Sequence, residues 1–213
     1  MRKFKRGFDL LGPHYRWMEG VLAGSVLQSC RTMHLPAIGA SRKILLLGEG
    51  PGRFLSEVAR ICPSAEITCI DGSASMLVQA RRAIPELPRV TFVHADVLNY
   101  DLPLETYDLV ATHFFLDCFP AEQLRSLVIR IARALKPGGS WLLSDFRLPS
   151  SGPQRWRAAL ILKVMYVFFR TVTALPACAL ADPDGYLEQS GLTLLKRHTA
   201  NFGLLHSDLW RKS

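Results

Sequence analysis

Short, uninterrupted apolar runs alternate along this chain with longer stretches in which apolar residues recur every three or four positions. Ile44-Leu45-Leu46-Leu47 is uniformly apolar and stops at three alternate glycines, Gly48, Gly50 and Gly52. Straight after it, Phe54, Leu55, Val58, Ala59 and Cys62 follow the 3.6-residue period of a helix with one buried face. This is the pattern of a buried parallel strand, a tight turn and a helix start. It repeats. A strand over 66–70 closes on Asp71-Gly72-Ser73, and the next helix turns Met76, Leu77, Ala80 and Ile84 inward. A third strand over 90–94 ends at Ala95-Asp96-Val97, and a fourth over 107–112 runs into His113-Phe114-Phe115-Leu116-Asp117. A helix with Leu124, Leu127, Val128, Ile131 and Leu135 on one face is stopped by Lys136-Pro137-Gly138-Gly139, before a fifth strand over 141–145. Strands and helices in this order predict an α/β fold, a doubly wound parallel sheet covered on both faces with right-handed crossovers. The rhythm then changes. A short helix over 183–190 precedes strands over 192–199 and 204–210, and Asn201-Phe202-Gly203 between them favours a hairpin.

Two segments flank this repeat. Residues 1–40 read as a helical arm: a basic, glycine-containing start, then a helix from Pro13 with Met18, Leu22 and Val26 on one face, stopped by Pro36. Residues 153–181 form an apolar helical insertion after strand five, crossed at intervals near seven by Arg157, Lys163 and Arg170. At 213 residues and 49% hydrophobic content, residues 1–213 read as one domain with a sizeable core. The net charge of +8 suits nucleic acid, an anionic membrane surface or an acidic substrate, and says nothing about fold. Five cysteines without Cys-x-x-Cys spacing sit mostly among apolar residues and read as reduced core thiols of a cytosolic protein. Asp9, His14, Arg16 and Glu19 interrupt any N-terminal signal segment, and no uncharged run reaches the about 18 residues a spanning helix needs. The expected location is cytoplasmic, with at most peripheral contact with a membrane.

Candidate chemistry collects at the carboxyl ends of the strands, where ligands bind in open α/β sheets. The glycines turn the backbone sharply and admit a ligand close to it, or else serve a tight core turn. Arg53 occupies the place of the third glycine in the dinucleotide fingerprint, so the spacing is Gly-x-Gly-x-Gly. Asp71, about 20 residues past the turn, stands where a carboxylate grips ribose hydroxyls; it or Ser73 also suits a helix N-cap. Asp96 either accepts from an exocyclic amine or holds a turn. His113 is the best-placed base, since imidazole takes a proton near neutral pH, with packing beside a cofactor as the alternative. Tyr15, within Tyr15-Arg16-Trp17, is placed to orient an acceptor or to pack the N-terminal helix, and Asp117 to hold His113. No metal site is expected.

Taken together these segments resemble the class I S-adenosylmethionine-dependent methyltransferases over nearly the whole chain. Leu47-Gly48-Glu49-Gly50-Pro51-Gly52 resembles that family's cofactor loop, and Asp71-Gly72-Ser73-Ala74-Ser75-Met76-Leu77 with Ala80-Arg81 resembles the segment whose acid binds ribose and whose methionine packs on adenine. Asp96-Val97 matches the acid at the adenine amine, Tyr107-Asp108-Leu109-Val110 the fourth strand, and Leu135-Lys136-Pro137-Gly138-Gly139 the turn before the fifth. The wording of 71–81 and the apolar insertion are most similar to the ubiquinone/menaquinone C-methyltransferase-like branch. The resemblance implies a Rossmann-like seven-stranded sheet with a C-terminal antiparallel hairpin, S-adenosyl-L-methionine as cofactor, and cofactor contacts from Gly48, Glu49, Gly50, Gly52, Asp71, Gly72, Met76, Asp96, Val97 and His113. It departs at Leu46, where the family usually carries an acid; Glu49 is the candidate replacement.

Methyl transfer to a small, apolar or aromatic acceptor follows as the expected reaction. Three rivals remain: a nicotinamide-dependent oxidoreductase, against which Arg53 and Asp96 count; a nucleic-acid methyltransferase; and a catalytically silent cofactor-binding partner. Thr112-His113-Phe114-Phe115 lacks the Asn/Asp-Pro-Pro-aromatic tetrad of amino-directed base methylation, so no specific nucleic-acid partner is expected. The apolar helix over 155–175 packs as core, pairs with another subunit, or lines an acceptor cavity that faces lipid.

Overall fold

The computed structural model describes residues 25–84, 89–173 and 175–213. Helix α1, over 25–32, leads through a 3-10 turn at Leu35–Ala37 into β1 (Lys43–Leu47). There follow α2 (Arg53–Ile61), β2 (Glu66–Asp71), α3 (Ala74–Ala83), β3 (Val90–His94) and β4 (Tyr107–His113). The chain continues through α4 (Ala121–Ala134), β5 (Leu135–Phe146), α5 (Pro153–Thr173) and α6 (Asp184–Gln189) to β6 (Leu192–Ala200) and β7 (Leu205–Lys212). All seven strands form one sheet in the order β3-β2-β1-β4-β5-β7-β6. The first five are parallel; β7 runs antiparallel to both β5 and β6, so the expected hairpin closes one side of the sheet.

Successive side chains of a strand point to opposite faces, and that alternation builds two cores. Helix α4 lies over Leu45, Leu47, Val110, Trp141, Leu143 and Trp210. Helices α2 and α3 cover Ile44, Leu46, Leu109 and Ala111 on the other face. Leu46, at the position where an acid was expected, is therefore a core residue, 1% exposed. A third cluster joins α1 to α5 through Cys30, Leu162 and Tyr166. All five cysteines are free.

Two expectations are corrected. The Lys136-Pro137-Gly138-Gly139 turn lies inside β5 as a register shift, because Tyr107 pairs with Leu135 while Leu109 pairs with Ser140. Pro137 has no N–H to give the ladder and Gly138 takes φ +73, so the strand bows out there and then resumes. Lys136 Nζ meets Asp108 Oδ1 at 2.6 Å across the shift. The apolar insertion over 153–181, with its helix expected over 155–175, is helical only to Thr173. Pro176 cannot donate to a helix and disfavours helical backbone in the residue before it. No helix among the described residues is long and apolar enough to cross a membrane.

Candidate active site

The switch in strand order falls between β1 and β4, and the glycine turn sits at that edge. Gly48, Gly50 and Gly52 all adopt left-handed backbone, φ +64, +65 and +85. Their surroundings differ. A Cβ on Gly48 would lie 2.1 Å from the Phe115 ring, and one on Gly52 would lie 2.8 Å from the Ala80 backbone, but one on Gly50 would meet nothing within 4 Å. Two of the glycines are thus demanded by packing inside the protein, and of the three only Gly50 borders open space among the described residues. The Gly50 N–H donates to Asp71 Oδ2 at 3.2 Å, while Asp71 Oδ1 accepts from Ser73 N–H at 2.8 Å. Asp71 therefore ties the turn to the start of α3, where Ser73 Oγ accepts from Met76 N–H at 3.3 Å.

Glu49 is drawn inward. Its Oε1 accepts from the N–H groups of Phe54 and Leu55, both at 2.8 Å, and so caps α2 in place of the side chain that Gly52 lacks. Burial pushes its carboxyl up to about 7, against the pull of those hydrogen bonds and of Arg31. Asp96 holds its own turn: Oδ1 accepts from Leu98 N–H at 3.1 Å and Oδ2 from the Asn99 amide at 3.2 Å. Met76 and Val97 are buried, and the Gly72 carbonyl lies 3.2 Å from His94 Nε2.

At the end of β4, His113 is buried with its ring edge-on to Phe54 at 4.4 Å. Neither ring nitrogen has a hydrogen-bond partner among the described residues. Burial, then the nearby Arg31 and His34, hold its pKa well below the ordinary histidine value, so the ring is neutral. Asp117 does not hold it. The Asp117 N–H instead donates to Asp145 Oδ2 at 3.1 Å, and the Tyr166 hydroxyl on α5 donates to the Asp117 carbonyl at 3.1 Å. Both carboxyls are buried on the α4 side of the sheet. Burial raises Asp117 to about 6 and, with the Asp117 charge beside it, raises Asp145 well above the usual range. Tyr15 lies outside the described residues.

Next to this pair, at the carboxyl end of β5, α5 and the loop before α6 enclose a cavity of about 590 Å³. Phe146, Leu162, Tyr166, Val167 and Leu180 make its walls mostly apolar, and His206 of β7 and Asp184 of α6 add polar groups. His206 Nδ1 lies 2.8 Å from Asp208 Oδ2, and Arg197 bridges Asp208 and Asp184. The sequence reading missed these residues, although His206-Ser207-Asp208 puts His and Asp on one face of a strand by its period of two. It also missed Arg31, 8% exposed on α1 with its guanidinium 5.0 Å from the Phe114 ring centre. Nothing in the sequence brings α1 to the end of β4.

The fold thus gathers Gly48, Glu49, Gly50, Gly52, Asp71, Gly72 and Met76 at the ends of β1 and β2, Asp96 and Val97 after β3, and His113 at the end of β4. Residues 44–139 match the family model for a methyltransferase domain. An uncharacterized methyltransferase of Synechocystis sp. is 30% identical over 164 residues, covering 76% of this chain and 72% of that one. A ubiquinone/menaquinone biosynthesis C-methyltransferase of Pseudomonas paraeruginosa is 28% identical over 158 residues, 70% of this chain and 60% of its own length. Among solved structures, an O-methyltransferase family protein of Burkholderia thailandensis superposes with a TM-score of 0.76 at 18% identity, covering 95% of this chain and 59% of that one. The Gly-x-Gly-x-Gly turn, its acids at successive strand ends and these relatives make one statement: the chain belongs to the class I S-adenosylmethionine-dependent methyltransferases.

Proposed function

We propose that this enzyme transfers the methyl group of S-adenosylmethionine to a small, apolar or aromatic acceptor held in the cavity between β5 and α5. The cavity carries the reading: about 590 Å³, mostly apolar, on the same strand edge as the glycine turn. A quinol-type ring is the acceptor class supported by the name of the Pseudomonas relative.

The residues at the edge fit the cofactor. Gly50 leaves room for close approach, Asp71 and Asp96 suit ribose hydroxyls and an adenine amine, and Glu49 offers negative charge near a cationic amino-acid group. The cofactor supplies an activated methyl group, and the protein contributes alignment. His113, neutral and without a partner among the described residues, orients the acceptor or packs on the cofactor. Because the Glu49 carboxyl titrates at about 7, cofactor affinity is expected to rise as pH increases towards 7 and to level off above it. A cation favours the ionised form, so binding below that pH must release a proton. Calorimetry across this range on Glu49→Gln should show the rise removed; an unchanged rise would take Glu49 out of the cofactor site.

Peripheral membrane contact is the second part of the reading. On α5, Ala158, Leu162 and Tyr166 face the core, while Trp156 (81% exposed), Leu160, Val164 and Phe168 form an outward apolar stripe. Between Asp145 and Asp182 there are five basic residues, Arg147, Arg155, Arg157, Lys163 and Arg170, and no acidic one. Beside the stripe, Arg157 stacks 5.2 Å from the ring of exposed Phe202. Apolar and aromatic groups flanked by cations suit an anionic bilayer surface, from which an apolar acceptor enters the cavity. One experiment tests both parts: methyl transfer to a panel of quinols, phenols and lipids, with flotation on phosphatidylglycerol vesicles at low and high salt. Binding at low salt that Trp156→Asp with Phe168→Asp removes is the expected result, with turnover of a water-soluble acceptor retained. Vesicles that never bind, together with normal lipid-acceptor turnover by the double variant, would remove α5 from acceptor capture.

A further inference from the structure

We propose that the cavity carries its own proton acceptor, a His206–Asp208 dyad clamped by Arg197, and hence that the acceptor bears an ionisable hydroxyl. This rests on the reading of the cavity as the acceptor site. His206 stands at the start of β7, paired with Asp145 of β5, so its ring is at the strand edge where the acceptor would lie. It is 2% exposed and lines the cavity. Asp208 is fully buried and accepts from Arg197 Nε at 2.8 Å and Nη2 at 2.6 Å. Arg197 is held in turn by two 2.8 Å bonds to Asp184. Burial opposes charge on Asp208, but the hydrogen bonds from Arg197 and His206 outweigh it and hold the carboxyl below its ordinary range.

A carboxylate only accepts, so the 2.8 Å contact places a proton on His206 Nδ1, and in the neutral ring the lone pair is then on Nε2. No described residue bonds Nε2. The arrangement is that of a base whose tautomer is set by a third group. An Arg197–Asp208 pair would be complete as a structural clamp without His206. The imidazole at the cavity wall is what a clamp does not require. His113 has no such orienting carboxylate among the described residues.

The groups around the ring are Asp208 on its own strand, Asp145 on β5 and Arg197 on β6. Across the cavity stand Lys163, Arg170 and Tyr166 of α5, with Cys178, Asp182 and Asp184 on the loop and α6 side. With S-adenosylmethionine bound, its sulfur–methyl bond would break to leave a neutral thioether as the oxygen–methyl bond formed, and the proton of the acceptor's O–H would pass to Nε2. The positive charge of the methyl donor thereby ends on the imidazolium, which Asp208 stabilises; the proton leaves to water with the product.

A coloured phenol, 4-nitrophenol, reports the dyad without turnover, because only its ionised form absorbs strongly in the visible. Bound to the wild-type protein it is expected to ionise about 1 pH unit below the free dye. His206→Asn keeps an N–H for Asp208 but has nothing in the place of Nε2, and should abolish the shift. The same variant should lose about 100-fold in kcat with cofactor affinity unchanged by calorimetry. Nitrogen NMR of wild-type His206 should show Nδ1 protonated and Nε2 bare, a measurement that does not depend on the variant folding. An equal dye shift in His206→Asn, no dye binding to the wild type, or the opposite tautomer would overturn the dyad. Wild-type protein that shifts the dye but fails to bind S-adenosylmethionine would strike the methyltransferase reading and leave the dyad standing.

Discussion

Gly50→Val is expected to abolish S-adenosylmethionine binding while the protein still folds. The position has φ +65, which costs an L-residue about 1–2 kcal/mol and somewhat more for a β-branched one. That is affordable against a typical stability of about 5–15 kcal/mol. Apart from its chain neighbours, no atom of the described residues lies within 4 Å of the added Cβ, so the valine methyls project away from them at the turn. The N–H that meets Asp71 survives the substitution, but the space a cofactor needs does not. The neighbouring glycines make the contrast. Alanine at 48 would strike the Phe115 ring, and at 52 the α3 backbone, so those variants are damaged through folding rather than through the ligand. Thermal unfolding beside calorimetry separates the two routes. Retained binding by a folded Gly50→Val protein would mean that the cofactor does not approach this turn.

Asp208→Ala is expected to cost about 3–5 kcal/mol of stability, the usual penalty for removing one partner of a buried ion pair. Arg197 keeps Asp184 but loses both bonds to Asp208, and His206 is left with an unpaired Nδ1 beneath β5. At this chain length the loss corresponds to a fall in Tm of roughly 6–20 °C. The pH dependence has a definite sign. Asp208 has its pKa lowered by folding, so its contribution is present above the ordinary carboxylate pKa and is lost as pH falls through the lower folded value. The gap between wild type and variant should therefore be full at neutral pH and close in acid. A variant that melts within a degree or two of the wild type at pH 7 would show that the Asp184–Arg197–Asp208 clamp holds nothing together.

Much of the cofactor edge was legible in the sequence because its signals are local. A run such as Ile44–Leu47 that breaks at glycines, followed by apolar residues at helical spacing, defines a strand, a turn and a helix within about 20 residues, and short-range sterics enforce all three. Asp71, Asp96 and His113 could be placed because each ends a strand, and parallel strands bring their ends to one edge. The Lys136–Gly139 stretch shows where local reading stops. Proline and glycines announced a departure from regular backbone, but whether it became a turn or a register shift depended on Tyr107 and Leu109 across the ladder.

The sequence by itself determined the strand and helix alternation, the parallel sheet, the hairpin and the family, since each follows from periodicity, turn chemistry or motif spacing along a short stretch. Only the tertiary structure decided which of three similar glycines borders open space. Only it turned Glu49 inward as a helix cap, paired Asp117 with Asp145 rather than His113, and joined Asp184, Arg197, His206 and Asp208 at one cavity. Those contacts depend on Cβ directions, burial and the inserted position of β7 between β5 and β6. Asp184 and Arg197, 13 residues apart in the chain, and Asp117 and Asp145, 28 apart, meet only after the sheet has closed, and a hydrogen bond between such residues leaves no periodic trace in the sequence.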